Sequence, residues 1–498
     1  MVDECLPATP PSRSDGRGGT VTGSALNEPA DAPATAASGP ARGQMILWKI
    51  RRLAFAHVIL IAASLALLAL DPYHLFTKFD GAARDLAANV WSVSYPRTNR
   101  PKVAVVTVGE DYLRNWDAAW PLPLRDHADL IEQMALARPK GIMIDFLFVD
   151  ARHGPADIAA FTRRLAAVAD ATPVYLAVAS GPDGEVVILP ELRNLANTHP
   201  NIELVSVGAP REMAENGGYS VRGVVSPTVD RAAMTLLRRF YPDVARSVAE
   251  RNISLIDIYW SAPPGDCTTK DADGLSVCSR ISGGRLGRAV KLAFGFAPIS
   301  APGLGLPERY RLEGRPIASV SAADLPGQAP DRFAQLADAV VFYGGAFAFN
   351  AGDQEATPVY GMLPSVYAHA MALDNLVTLR GAAWRAEPPF GLEPKAYRML
   401  EAFTLLLFSF LLASGLAWLN VVVRGEPVDS GRLAVADITA NRIPMAGAIV
   451  LVALIEWFGL HISPGYWVGA WSATAAVGVG VGFMSRRLGR KTEGRATG

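Results

Sequence analysis

Four long apolar runs constrain this chain more than any other feature: residues 53–70, 402–423, 443–460 and 467–484. Each is close to the roughly 20 residues a helix needs to cross about 30 Å of hydrocarbon. Composition agrees. Charged residues are 19% and hydrophobic residues 50%, where a soluble domain carries about 25% charge. No A-x-A cleavage pattern follows the first run, which therefore reads as an uncleaved anchor.

Positive charge marks the cytoplasmic side of a membrane helix. Arg51 and Arg52 precede the first run, and Arg424, Arg432 and Arg442 lie between the second and third. Arg486, Arg487, Arg490 and Lys491 follow the fourth, whereas residues 461–466 carry no Lys or Arg. The consistent topology is a multi-pass inner-membrane protein with both termini cytoplasmic. A disordered tail (1–44), poor in apolar residues, precedes a first membrane helix (45–71). An extracytoplasmic, periplasmic domain occupies 72–397. A second helix (398–423), a cytoplasmic loop (424–442), a third helix (443–460), an outer turn (461–466), a fourth helix (467–484) and a cytoplasmic tail (485–498) complete the chain. The lipid bilayer is thus the first expected partner.

Within these helices, Glu456 is an acid inside the third run, poised between snorkelling to the interface and a proton or ligand role. Ala470, Thr474, Gly478 and Gly482 place a small residue every fourth position of the fourth run. That strip lets another helix approach closely, either in the chain's own bundle or in a homo-oligomer. A net charge of +0, with no basic stripe outside the membrane flanks, argues against nucleic acid as a partner.

The extracytoplasmic segment alternates strand-like and helix-like patterns. Strands are expected at 103–108, 141–148, 174–179 and 339–343, and helices at 124–137, from Pro155 onward, and at 364–379 with Pro364 in the first turn. Continuous apolar strands separated by amphipathic helices imply a mostly parallel sheet covered on both faces, an α/β fold. Further strands are expected at 186–189, 204–207, 221–225 and 253–259 in the less regular middle. Cys267 and Cys278 fall in this outer region. An even pair in an oxidising compartment suggests a local disulfide, and with no third cysteine or histidine nearby no metal site is expected.

In open α/β sheets ligands bind beyond the carboxyl ends of the strands. Those ends present Glu110 and Asp111, then Asp145, then the Gly344-Gly345 loop leading to Asp353. Asp145 interrupts an apolar strand, so it is either a hydrogen-bonded structural acid or a pocket wall, with Arg125 or His369 as partner. Trp120 is a loop anchor or a pocket wall. These six residues, Glu110, Asp111, Trp120, Asp145, Asp353 and His369, are the candidate ligand-binding set. No P-loop, HExxH or G-x-S-x-G motif is present. Neither a cofactor nor an enzymatic activity is expected.

From Val105 the residues resemble a known family. The run VVTVGED, then Trp120-Pro121-Leu122-Pro123, then IDFLF from Ile144 looks like the opening of a CHASE domain of the second type. A second block agrees: PIASVSAADL from Pro316, AVVFYG from Ala339, Gly352-Asp353, Ala356-Thr357-Pro358, His369-Ala370 and Asp374-Asn375-Leu376. The resemblance covers about residues 72–400 and matches the layout of one anchor before and three helices after. It implies an extracellular sensory module of bacterial transmembrane receptors, here in a stand-alone form without a cytoplasmic output domain. The resulting expectation is a sensor of an envelope or small-molecule signal that passes it to a separate protein partner. A non-catalytic scaffold or assembly subunit of an envelope complex is the alternative.

Overall fold

In a computed structural model, the described residues are 42–71, 100–150, 154–180, 185–207, 219–220, 229–261, 315–325, 330–347, 353–380 and 394–424, with several residues between 81 and 96, residue 392 and Trp471. Cys267, Cys278, Glu456, Ala470, Thr474, Gly478 and Gly482 lie outside them. So do the tail up to residue 41, the expected loop after Arg424, most of the third and fourth apolar runs, and the final tail.

The chain opens with a long helix, α1 (Arg42–Leu70). Strand β1 (Val103–Gly109) leads into α2 (Glu110–Asn115) and α3 (Leu124–Leu136), followed by β2 (Gly141–Asp145), α4 (Pro155–Ala169) and β3 (Val174–Ser180). Next come β4 (Val186–Val187), α5 (Pro190–Thr198), β5 (Ile202–Ser206), β6 (Tyr219–Ser220), α6 (Ala232–Phe240), α7 (Pro242–Glu250) and β7 (Leu255–Ile256). The last part holds β8 (Ala318–Ser321), a 3-10 turn (Ala322–Asp324), α8 (Pro330–Leu336) and β9 (Val340–Ala346). Hairpin strands β10 (Gln354–Thr357) and β11 (Gly361–Pro364) precede α9 (Val366–Leu379) and α10 (Pro394–Arg424).

The main sheet runs β4-β3-β2-β9-β1-β8, with β5 also paired to β3. Every pairing is parallel except β3 with β4. Alternation along the strands sends side chains to two separate cores. Val105, Met143, Tyr175 and Phe342 face α6, α7 and α9. Val106, Ile144, Leu176 and Tyr343 face α3, α4 and α5. Burial on both faces is why these strands read as continuous apolar runs, and the expected mostly parallel α/β sheet is present.

Several element boundaries differ from the sequence reading. Pro364 ends β11 instead of opening the helix, because the β10–β11 hairpin pairs Gln354 with Pro364. Strand β2 stops at Asp145, and Phe146 and Phe148 turn into an aromatic cluster with His127. The expected strand at 253–259 shortens to Leu255–Ile256, paired with Tyr219–Ser220.

The end of the sheet where the strands begin carries a buried polar clasp. Arg100 donates from Nε to Asp374 Oδ1 at 3.0 Å and from Nη2 to Oδ2 at 2.9 Å. Tyr95 Oη donates to Asp374 Oδ2 at 2.6 Å. Asn375 donates to Tyr95 Oη at 3.1 Å and exchanges two hydrogen bonds with the backbone of Tyr259, at 2.6 and 3.0 Å. The Asp374 side chain is only 1% exposed, so its charge depends on Arg100 for compensation. The clasp ties the segment entering β1 to the helix from which the chain departs toward α10.

Helices α1 and α10 pack on each other, and Leu68 meets Ala402 in a small buried cluster with Trp471 against it. Among the described residues, no helix is long and apolar enough to cross a membrane.

Helix α9 starts almost in contact with the sheet. A Cβ on Gly344 would stand 2.8 Å from Val366 Cβ, with no flexible side-chain end to give way. Gly344→Ala is therefore expected to lose about 1–3 kcal/mol through overpacking, read as a lower Tm in thermal unfolding of the full chain.

Candidate functional site

The topology brings three strand ends together. The chain lays β9 between β1 and β2, so Gly344 pairs with Thr107 on one side and Asp145 on the other. The start of α9 covers this junction. Ser365, just before α9, is fixed by its backbone N–H donating to Asp353 O at 2.9 Å, and its hydroxyl donates to Asp353 Oδ1 at 2.5 Å.

Asp145 lies beneath this junction with its side chain 7% exposed. Burial, then the nearby Asp353 charge, push its carboxyl up to about 7, and a hydrogen bond with Ser365 opposes the rise. His369 Nε2 stands 3.9 Å from Asp145 Oδ1, too far for a hydrogen bond. Burial, then the charge of Arg231, push His369 down to about 3, so a neutral imidazole faces the carboxyl at neutral pH. We therefore do not read the pair as an ion pair despite its separation. The other ring nitrogen, Nδ1, shares a 2.8 Å hydrogen bond with Tyr219 Oη. The Arg231 guanidinium stands over the Tyr219 ring, 5.5 Å from its centroid. Burial also raises the carboxyls of Asp353 and Glu355.

The six candidate residues separate into groups. Asp145, Asp353 and His369 converge at the start of α9. Arg125, the other suggested partner of Asp145, is 80% exposed and pairs with Asp126 instead. Asp111 accepts a hydrogen bond from Ser321 at the end of β8, tying two strand ends together. Glu110 is exposed in the first turn of α2. Trp120 lies on the opposite core, its ring 4.3 Å from Phe347 and 5.8 Å from Phe146. The same side holds His127, whose Nδ1 meets Tyr343 Oη at 2.9 Å.

Ser365, Tyr219 and Arg231 complete the Asp145 cluster and escaped the sequence reading. Ser365 had a legible signal, a small polar residue immediately before a helix. Tyr219 and Arg231 had none, because only the fold brings them to His369. Among the described residues no group of acids, histidines and cysteines is arranged to hold a metal ion.

The opposed shifts of Asp145 and His369 predict an unusual pH response. Asp145 is raised from 3.8 to about 7, so its contribution is complete below pH 3.8 and lost as pH rises through about 7. His369 is lowered from 6.5 to about 3, so its contribution is complete above pH 6.5 and lost as pH falls through about 3. Between 3.8 and 6.5 the folded state holds one extra proton on Asp145 and lacks one on His369, and the two slopes cancel. Denaturant unfolding should show little pH dependence from this pair in the parent chain. Asp145→Asn should then lose stability on acidification, and His369→Gln should lose it as pH rises toward 7. Parallel slopes in the two variants would refute the assignment.

A family model described as the CHASE2 domain matches residues 58–414. No curated protein and no solved structure matches the chain.

Proposed function

The chain belongs to the CHASE2 domain family, a family of extracellular sensory domains, and from that membership we propose that it is a membrane-held sensor whose outer domain passes an envelope signal to a separate protein. One observation carries the reading: α9 presents His369 to the buried acid at the strand ends, and Asp374 to the clasp at the opposite end of the sheet. A change at the first end therefore acts on a helix that is tied to the segments leading from α1 and toward α10.

The four apolar runs support a four-helix membrane bundle, with residues 72–397 in the periplasm and both termini in the cytoplasm. Helices α1 and α10 expose large apolar side chains, among them Phe55, Val58, Phe403 and Leu411, as a lipid-facing surface does. Trp471, from the fourth run, donates to Glu401 Oε1 at 2.8 Å and packs beside Leu405. That contact favours association of the fourth run with α10.

A reporter enzyme active only in the cytoplasm should work when fused after Arg424 or Arg490 and fail after Gly265. Activity at Gly265 would remove the topology. The sensory role is tested by purifying the full chain in mild detergent and identifying co-purifying proteins by mass spectrometry. Sensing requires that Asp145→Asn or Asp353→Asn change the association or activity of a stoichiometric partner. A partner indifferent to both substitutions leaves the scaffold role.

A further inference from the structure

We propose that the seam between α1 and α10 is the docking site of the fourth apolar run, with Glu401 as the acceptor that fixes its depth and Trp471 as the donor that finds it. The inference rests on the four-helix membrane reading. It adds which face of the fourth run is turned inward, and it assigns the small-residue strip to the chain's own bundle instead of a second copy.

Two buried stripes build the seam. On α10, Ala402, Leu405, Leu406 and Ser409 are buried, at the i, i+3, i+4, i+7 spacing of one helix face. On α1, Ser64 and Leu68 are buried four residues apart, and Leu68 meets Ala402. Another side of α10 differs: Phe403, Leu407 and Leu411 are exposed. Trp471 lies on the buried side. It packs against the Leu68–Ala402 cluster and against Leu405 beside Phe408. The ring therefore bridges both helices and about one turn of α10.

Apolar contact alone does not fix how deep one helix sits against another in lipid, because the tails are as apolar as the side chains. Glu401 supplies the fixed point. It is 3% exposed, and a carboxyl in such surroundings requires a hydrogen-bond partner. Trp471 Nε1 donates to its Oε1 at 2.8 Å. Indole has one N–H and no acceptor, so only one placement of the ring satisfies both groups.

The sequence of the fourth run fits the seam. In a helix whose Trp471 points inward, the residues three, seven and eleven positions on share its stripe. These are Thr474, Gly478 and Gly482. Three of the four strip residues thus fall on the Trp471 face, where small side chains let backbones approach closely.

The test uses the full chain in lipid nanodiscs. Ser409 is eight residues after Glu401 and Gly478 seven after Trp471. In parallel helices the two lie at nearly one depth, about 12 and 10.5 Å beyond the hydrogen bond. In Ser409→Cys/Gly478→Cys, mild oxidation should join the two peptides within one chain, identified by mass spectrometry apart from any bond made by Cys5, Cys267 or Cys278. Trp471→Phe keeps a ring and loses the N–H, so it should lower the yield severalfold. Glu401→Gln keeps an acceptor oxygen and should leave the yield near that of the parent. With Glu401→Leu in place, Trp471→Phe should have no further effect, because its partner is already gone. Should the cysteine pair fail to fold, the indole N–H resonance of isotope-labelled tryptophan serves. The signal lost in Trp471→Phe should move in Glu401→Leu, and an unmoved signal overturns the docking. So does a covalent dimer in place of the internal bond, no bond at all, or an equal effect of Trp471→Phe in both backgrounds. If the fusions after Arg424, Arg490 and Gly265 behave as expected while no internal bond forms, the membrane topology stands and the docking alone falls.

Discussion

Inserting β9 between β1 and β2 is the constraint on which the rest depends. Neither neighbour can complete its ladder until a strand more than two hundred residues after β1 has arrived. The insertion also decides what lies at the strand ends. It puts a glycine, Gly344, between Thr107 and Asp145, and that missing side chain makes room for Val366. A closely seated α9 and an acid buried beneath it are two consequences of one pairing.

Burying that acid has a cost that the fold meets by proton placement. An isolated carboxylate in an apolar interior is strongly disfavoured, and such a group either finds a cation or keeps its proton. Arg231 stands beyond Tyr219, and burial, then the Arg231 charge, hold His369 neutral. Asp145 therefore keeps its proton to an unusually high pH. At the other end of α9 the alternative solution is used: Asp374 is held against Arg100 in a bidentate pair. One helix thus faces a buried acid near its start and carries a fixed ion pair further along.

Much of the core was legible in the sequence. The strands at 103–108 and 174–179 and the helix from Pro155 are where the apolar pattern puts them, because a strand buried on both faces must be apolar throughout. The order of strands was not legible, since pairing across long separations leaves no local signature. The start of α9 differs for another reason. Pro364 suits a helix first turn, but Gln354, ten residues earlier, claims it for a hairpin. The site was half legible: an acid interrupting an apolar strand pointed to Asp145, and a histidine on an apolar helix pointed to His369. Asp111 looked equivalent to Asp145 by position, yet its local tie to Ser321 takes it out of the cluster. Arg100 and Tyr95, which complete the clasp, lie in a stretch whose pattern gave no hint of burial.

The placement of the two polar contacts on α9 bears on how the strand-end cluster is coupled to the segments that flank the sheet. His369 and Asp374 are five residues apart, about 7.5 Å along a helix axis. Over that length a helix is rigid, so displacement of its first turn cannot be absorbed before it reaches Asp374. The clasp then decides which segments move together. Asp374 grips Arg100 and Tyr95, which precede β1, while α9 itself leads toward α10. Motion of α9 therefore shifts the departing segment relative to the entering one, or pulls both together. The second outcome is favoured while the bidentate pair holds, because parting a buried pair leaves an uncompensated charge and costs about 3–5 kcal/mol. A displacement that costs less than that moves the two segments as a unit.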